Sequence, residues 1–96
     1  MLKIDRDRAR VLYNDKEVYV TIIEYRILIL LLKAGSGTVS DDMIMDEVWG
    51  KGYLKEKSTL RVYIYRLRAK LKAASGGSVS IINYERKGYA LEQSVK

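Results

Sequence analysis

Residues 60–72 of this 96-residue chain separate into two faces when they are placed ~100° apart around a helix axis. Leu60, Ile64, Leu67 and Leu71 fall within about 60° of one another, with Tyr63 at their edge. The opposite face carries Arg61, Val62, Tyr65, Arg66, Ala69 and Lys72, and Arg68 and Lys70 stand on the flanks. A helix with one apolar stripe needs other elements to cover that stripe, so a small packed domain is required around it. The spacing predicts this helix from Ser58 or Thr59 to about Ala74, closed by the flexible Ser75-Gly76-Gly77-Ser78.

The same stretch holds nearly all of the excess charge. The chain has 18 Lys+Arg against 12 Asp+Glu, a formal net charge of +6. Residues 1–50 carry seven Lys/Arg and nine Asp/Glu, a net of −2. Residues 51–72 carry eight (Lys51, Lys55, Lys57, Arg61, Arg66, Arg68, Lys70, Lys72) against Glu56 alone, a net of +7. The remainder adds +1. Charge concentrated in this way is the footprint of a polyanion-binding surface; spread evenly, it would describe only a solvated exterior.

The absence of cysteine excludes disulfides, thiolate catalysis and zinc–thiolate sites, and the absence of histidine removes the commonest general base and metal ligand. No cofactor and no metal are expected, and enzymatic activity is not. The one carboxylate cluster, Asp41, Asp42, Asp46 and Glu47, is better read as partners of a helix N-terminus and a solvated edge than as metal ligands. The longest apolar run, Ile27 to Leu32, is far short of the ~20 residues that span a bilayer, and it is internal. A cytoplasmic protein without membrane contact is the expectation.

Three short strands are predicted first, at Leu2–Asp5, Ala9–Tyr13 and Glu17–Val20, separated by Asp5-Arg6-Asp7 and Asn14-Asp15-Lys16. Thr21 with Glu24 three residues on is a capping box that opens an apolar helix ended by Gly35-Ser36-Gly37. Ser40 is the N-cap of a second helix, with Asp41 and Asp42 in its first turn and an apolar stripe of Ile44, Val48 and Trp49. After a loop at residues 50–57 and the basic helix, Val79–Tyr84 and Tyr89–Leu91 form a hairpin around Glu85-Arg86-Lys87-Gly88.

The outer face of the basic helix suits a DNA major groove. Its centre is small and apolar at Val62 and Ala69, guanidinium forks reach guanine O6 and N7, and a valine meets a thymine methyl. Flanking Lys and Arg hold phosphates and set orientation. A helix, a loop, a basic helix and then a hairpin with a charged tip is the layout of an α+β winged helix-turn-helix: N-terminal antiparallel β-sheet (1–20), three-helix core (21–75) and C-terminal wing (79–91), one domain over 1–96.

The chain resembles the C-terminal winged-helix DNA-binding domain of OmpR/PhoB-family response regulators over roughly Leu2 to Leu91. Thr21-x-x-Glu24-Tyr25-x-x-Leu28 opens the first helix, and Asp46-Glu47-Val48-Trp49-Gly50 closes the second. Thr59 to Leu71 matches the recognition helix, and Lys87-Gly88-Tyr89-Ala90-Leu91 the end of the wing. The resemblance implies a four-stranded N-terminal sheet, three helices and a hairpin. It implies a bacterial transcriptional regulator that places helix 58–74 in the major groove and wing 84–89 on backbone or minor groove. Val62, Tyr65 and Arg66 would read bases with Arg61 beside them. Thr59 and Arg68 would lie at or near phosphates, and Tyr63, Lys72 and the flanking Lys70 complete the expected set of backbone contacts. The loop matching Gly50–Lys57 contacts RNA polymerase in some members, which points to Lys51, Tyr53, Lys55 and Glu56. Promoter direct repeats bound as a tandem dimer, with a monomer for the isolated domain, are the implied assembly.

The sequence departs from the family pattern in three places. Arg61 stands where an acidic residue is usual, and Tyr63 where histidine is frequent. The wing reads Glu85-Arg86-Lys87-Gly88-Tyr89 against Arg-Gly-x-Gly-Tyr, so Arg86 or Lys87 would have to replace the usual minor-groove arginine. These 96 residues include no receiver domain, so a stand-alone regulator and one domain of a longer protein both remain open. Two other classes compete with DNA binding. A winged-helix module could dock on RNA polymerase or another regulator through the 50–57 loop, and Tyr63 and Tyr65 could stack single-stranded bases.

Overall fold

The computed structural model describes residues 1–94; Val95 and Lys96, the last positions of the expected domain, lie outside the described residues. β1 (Leu2–Asp5), β2 (Arg10–Tyr13) and β3 (Lys16–Val18) form an antiparallel meander in that order. Val11 lies opposite Ile4 on one side and Val18 on the other, so one face of the sheet is apolar and turns to the core. The β2–β3 turn is Asn14-Asp15, both with positive φ (49° and 69°), as a two-residue turn matched to strand twist requires.

α1 (Ile22–Lys33) starts at the predicted capping box, with both reciprocal bonds formed: Thr21 Oγ1 accepts from the Glu24 amide at 3.2 Å, and the Thr21 amide donates to Glu24 Oε1 at 2.7 Å. α2 (Asp41–Trp49) is capped by the Ser40 hydroxyl, which accepts from the Met43 amide at 3.1 Å. α3 (Lys57–Ser75) ends at Gly76 in the left-handed conformation, with φ of 67°. β4 (Val79–Tyr84) and β5 (Gly88–Gln93) form the C-terminal hairpin. Leu60, Ile64, Leu67 and Leu71, the predicted stripe of α3, are all buried. They share one core with Ile27, Leu28 and Leu31 of α1, Ile44 and Val48 of α2, and Val79, Ile81 and Leu91 of the hairpin. α1 contributes more than one face to this core, as its apolar content predicts: Tyr25, Leu30 and Leu32 pack half-buried around the same cluster.

The structure moves several boundaries. Ala9 belongs to the first turn, not to a strand, because its φ is 51° and its amide closes the turn onto the Arg6 carbonyl. The third strand stops at Val18, since Thr21 commits the chain to a helix so soon afterwards. The described residues contain a three-stranded N-terminal sheet rather than the implied four strands. The turns at 6–9 and 14–15 divide residues 2–18 into three extended segments and leave no fourth. The hairpin is longer than predicted, with Gly88 already in the second strand and pairing reaching Gln93.

One contact sets the position of the hairpin. Val39, just before α2, and Tyr89 of β5 exchange two backbone hydrogen bonds of 2.8 and 2.9 Å. This fixes the wing to the start of α2, beside the N-terminal end of α3.

Candidate nucleic-acid interface

The side of α3 turned away from the core is open. Arg61, Val62, Tyr65, Arg66, Ala69 and Lys72 are all exposed, as the helical spacing predicts. Val62 and Tyr65 keep 47% and 70% of their surface although one is aliphatic and the other aromatic, so burial within this chain does not account for them. No Asp or Glu occurs between Lys57 and Ser75. The face is therefore uniformly cationic around a small, apolar centre. Thr59 lies half-buried in the first turn.

Three residues expected at the DNA backbone have internal partners. Lys70 Nζ donates to Glu24 Oε1 at 2.5 Å, forming an ion pair with a carboxylate that is buried. Lys70 thus has a partner on α1 within the domain, while part of its side chain stays exposed. Tyr63 is half-buried, its ring edge-on to Trp49 with centroids 5.5 Å apart. The Tyr63 ring is thus a packing element, and the Arg66 guanidinium carbon lies 5.9 Å from its centroid. Arg68 Nε donates to the Ile81 carbonyl at 2.9 Å, tying α3 to β4. One of its five N–H donors is used in this bond, which leaves the end of the fork for an outside acceptor.

The wing tip projects Glu85, Arg86 and Lys87 into solvent. Arg86 has φ of 64°, a conformation that favours glycine, which explains why the family pattern has glycine at this place. A cleft of about 370 Å³ lies between the wing tip and the first turns of α2 and α3, with Asp41, Asp42, Lys57, Arg61, Arg86 and Lys87 on its walls. Deeper in, burial pushes the Tyr89 phenol above its ordinary pKa and Asp41 adds to the shift, while Arg61 and Arg68 oppose it. Arg61, exposed on α3, shares the walls of this cleft with residues of the wing tip.

The connection from α2 to α3 is the predicted loop, one residue shorter at 50–56. Lys51, Tyr53, Lys55 and Glu56 are exposed, Tyr53 at 76%. Asp46 Oδ1 accepts the Gly52 amide at 3.3 Å and Leu54 packs against the core, so the loop is pinned at these two points. Asp46, whose spacing in the sequence marks only a solvated edge, is in this way a partner of the loop backbone.

These elements define a winged helix-turn-helix domain: a cationic helix held against two others, with a hairpin fixed beside its N-terminal end. Residues 15–91 match the family described as "Transcriptional regulatory protein, C terminal", and the chain belongs to this family, in its OmpR/PhoB-type form. It is 29% identical over 91 residues to the sensory transduction protein RegX3 of Mycobacterium leprae (strain TN), covering 95% of this chain and 46% of RegX3. It is 33% identical over 81 residues to the transcriptional regulatory protein SrrA of Staphylococcus aureus (strain NCTC 8325 / PS 47), covering 84% of this chain and 34% of SrrA. The chain therefore spans less than half the length of these relatives. The same fold occurs in the DNA-binding domain of the response regulator AdeR, solved in complex with an intercistronic region. The TM-score there is 0.83 at 22% identity, covering 97% of this chain and 95% of that one.

Proposed function

We propose that this chain is the DNA-binding effector domain of a two-component response regulator and binds specific double-stranded sequences to control transcription. The observation that carries this reading is the open face of α3: cations surround Val62 and Ala69 with no carboxylate on the helix, and the charged wing tip flanks it. α3 enters the major groove, where Arg61, Val62, Tyr65 and Arg66 meet base edges. Thr59, Arg68 and Lys72 contact phosphates, and Arg86 and Lys87 of the wing lie on backbone or minor groove. Direct repeats bound by a tandem dimer, and a cytoplasmic location, belong to the same reading. No helix among the described residues is long and apolar enough to cross a membrane. The pinned loop at 50–56 with exposed Tyr53 suits contact with RNA polymerase.

Selection of bound duplexes from a random pool tests this function. The expected result is a direct repeat at ~10–11 bp spacing. A domain neutralising ~6 phosphates gives a log–log salt slope near −5; a slope near zero would make the chain a protein-docking module. Within that system, Arg66→Ala is expected to reduce discrimination between selected and scrambled duplexes by ~1–3 kcal/mol. Equal losses on both duplexes would place Arg66 on a phosphate.

A further inference from the structure

We infer that Tyr63 is a positioning residue for Arg66: its ring, backed by Trp49, is the platform that presents the Arg66 guanidinium to a base. The inference rests on the base-reading role proposed above for Arg66. Tyr63 and Arg66 are three residues apart on α3, so their side chains are neighbours on the helix surface. The guanidinium carbon lies 5.9 Å from the ring centroid, within the range of a cation–π contact. The ring cannot follow the guanidinium freely, because it is edge-packed on Trp49, the last residue of α2, at 5.5 Å and an interplanar angle of 62°.

The physical consequence concerns order before binding. A free arginine loses conformational freedom over several torsions when it docks on a base, which opposes affinity. A fixed aromatic platform removes part of that loss in advance and narrows the directions the fork can take. Misaligned bases then lose more than matched ones, so the platform acts on discrimination rather than on general affinity. The contact uses the face of the ring and needs no hydroxyl. A direct contact of Tyr63 with phosphate would need that hydroxyl, and would act on every duplex alike.

The experiment uses the full chain, a duplex selected by it from a random pool, and a scrambled duplex of equal length. Tyr63→Phe is expected to leave both affinities unchanged. Tyr63→Leu is expected to weaken binding to the selected duplex about fivefold, the size of one partly exposed cation–π contact, with the scrambled duplex and the salt slope unaffected. Tyr63→Met preserves bulk against Trp49 and serves the same purpose if the leucine variant does not fold. Combined with Arg66→Ala, either variant is expected to add no further loss, because Tyr63 acts through Arg66. Equal weakening of both duplexes by Tyr63→Phe would overturn the proposal in favour of a phosphate contact. Full additivity of the Tyr63 and Arg66 losses would overturn it too. If Arg66→Ala alone weakens both duplexes equally, the base-reading role fails and the platform fails with it; if only the Tyr63 variants are silent, the platform alone fails.

Discussion

Gly88→Ala is expected to lower stability by about 3 kcal/mol or more, which for a domain of this size lowers the thermal midpoint by ~12–24 °C. An ideal Cβ at position 88 would lie 2.0 Å from the Val39 carbonyl oxygen, 2.7 Å from its carbon and 2.8 Å from Ser40 Cα. All three are backbone atoms, so no side-chain rotation relieves the overlap. The chain must open where Val39 and Tyr89 exchange their two hydrogen bonds, and both residues are buried there. Leaving such groups unpaired costs about 1–3 kcal/mol each. Gly88 also has φ of 117°, which adds strain for any L side chain. Gly77→Ala is the control, since Gly77 has φ of 95° but a Cβ added there would meet no atom within 4 Å. Its loss is expected to be about 1 kcal/mol, from backbone conformation alone. Thermal unfolding followed by circular dichroism checks both, and midpoints for the two variants within a few degrees of each other would show that the close approach to Val39 is not what selects glycine. Since Ser40 caps α2, the substitution also disturbs the base of the helix pair, and DNA affinity is expected to fall with the wing displaced.

The elements that sequence reading locates well are those whose signals are local. The stripe Leu60, Ile64, Leu67 and Leu71 repeats with the helical period and is buried throughout, and its complement Arg61, Val62, Tyr65, Arg66, Ala69 and Lys72 is exposed throughout. Thr21 with Glu24 and Ser40 with its acidic first turn are contained within four residues, and both caps form. Such signals do not reveal the partner of a residue across the fold. Lys70 and Glu24 are 46 positions apart, and helical spacing puts Lys70 on a flank without saying what faces that flank. The bond from Arg68 to Ile81 and the bridge from Val39 to Tyr89 depend likewise on how α3, α2 and the hairpin pack. Tyr63 lies at the border of the two faces, where angle alone does not decide between solvent and Trp49. Strand ends shift for a local reason that residue type masks: Ala9 adopts positive φ in a turn, where alanine carries no turn signal.

Lys70→Met is expected to destabilise the domain by about 2–3 kcal/mol while leaving the salt dependence of DNA binding unchanged. Glu24 is buried, and its Oε1 accepts from both the Thr21 amide and Lys70 Nζ. Its Oε2 is buried with no hydrogen-bond partner among the described residues. With the ammonium removed, the carboxylate retains only the capping bond, and an uncompensated buried charge costs about 3–5 kcal/mol when both partners are fully desolvated. Lys70 keeps 38% of its side-chain surface, so water already weakens the pair and the expected loss falls below that range. Glu24→Gln in the same chain is expected to recover most of the loss, because a glutamine oxygen still accepts the Thr21 amide and carries no charge. Denaturant titration of the single and double variants measures both steps. The binding half of the prediction separates this role from the one the basic helix suggests: a lysine on a phosphate contributes about one unit to the log–log salt slope. An unchanged slope in folded Lys70→Met assigns the residue to the α1–α3 contact; a slope shallower by about one returns it to the DNA backbone.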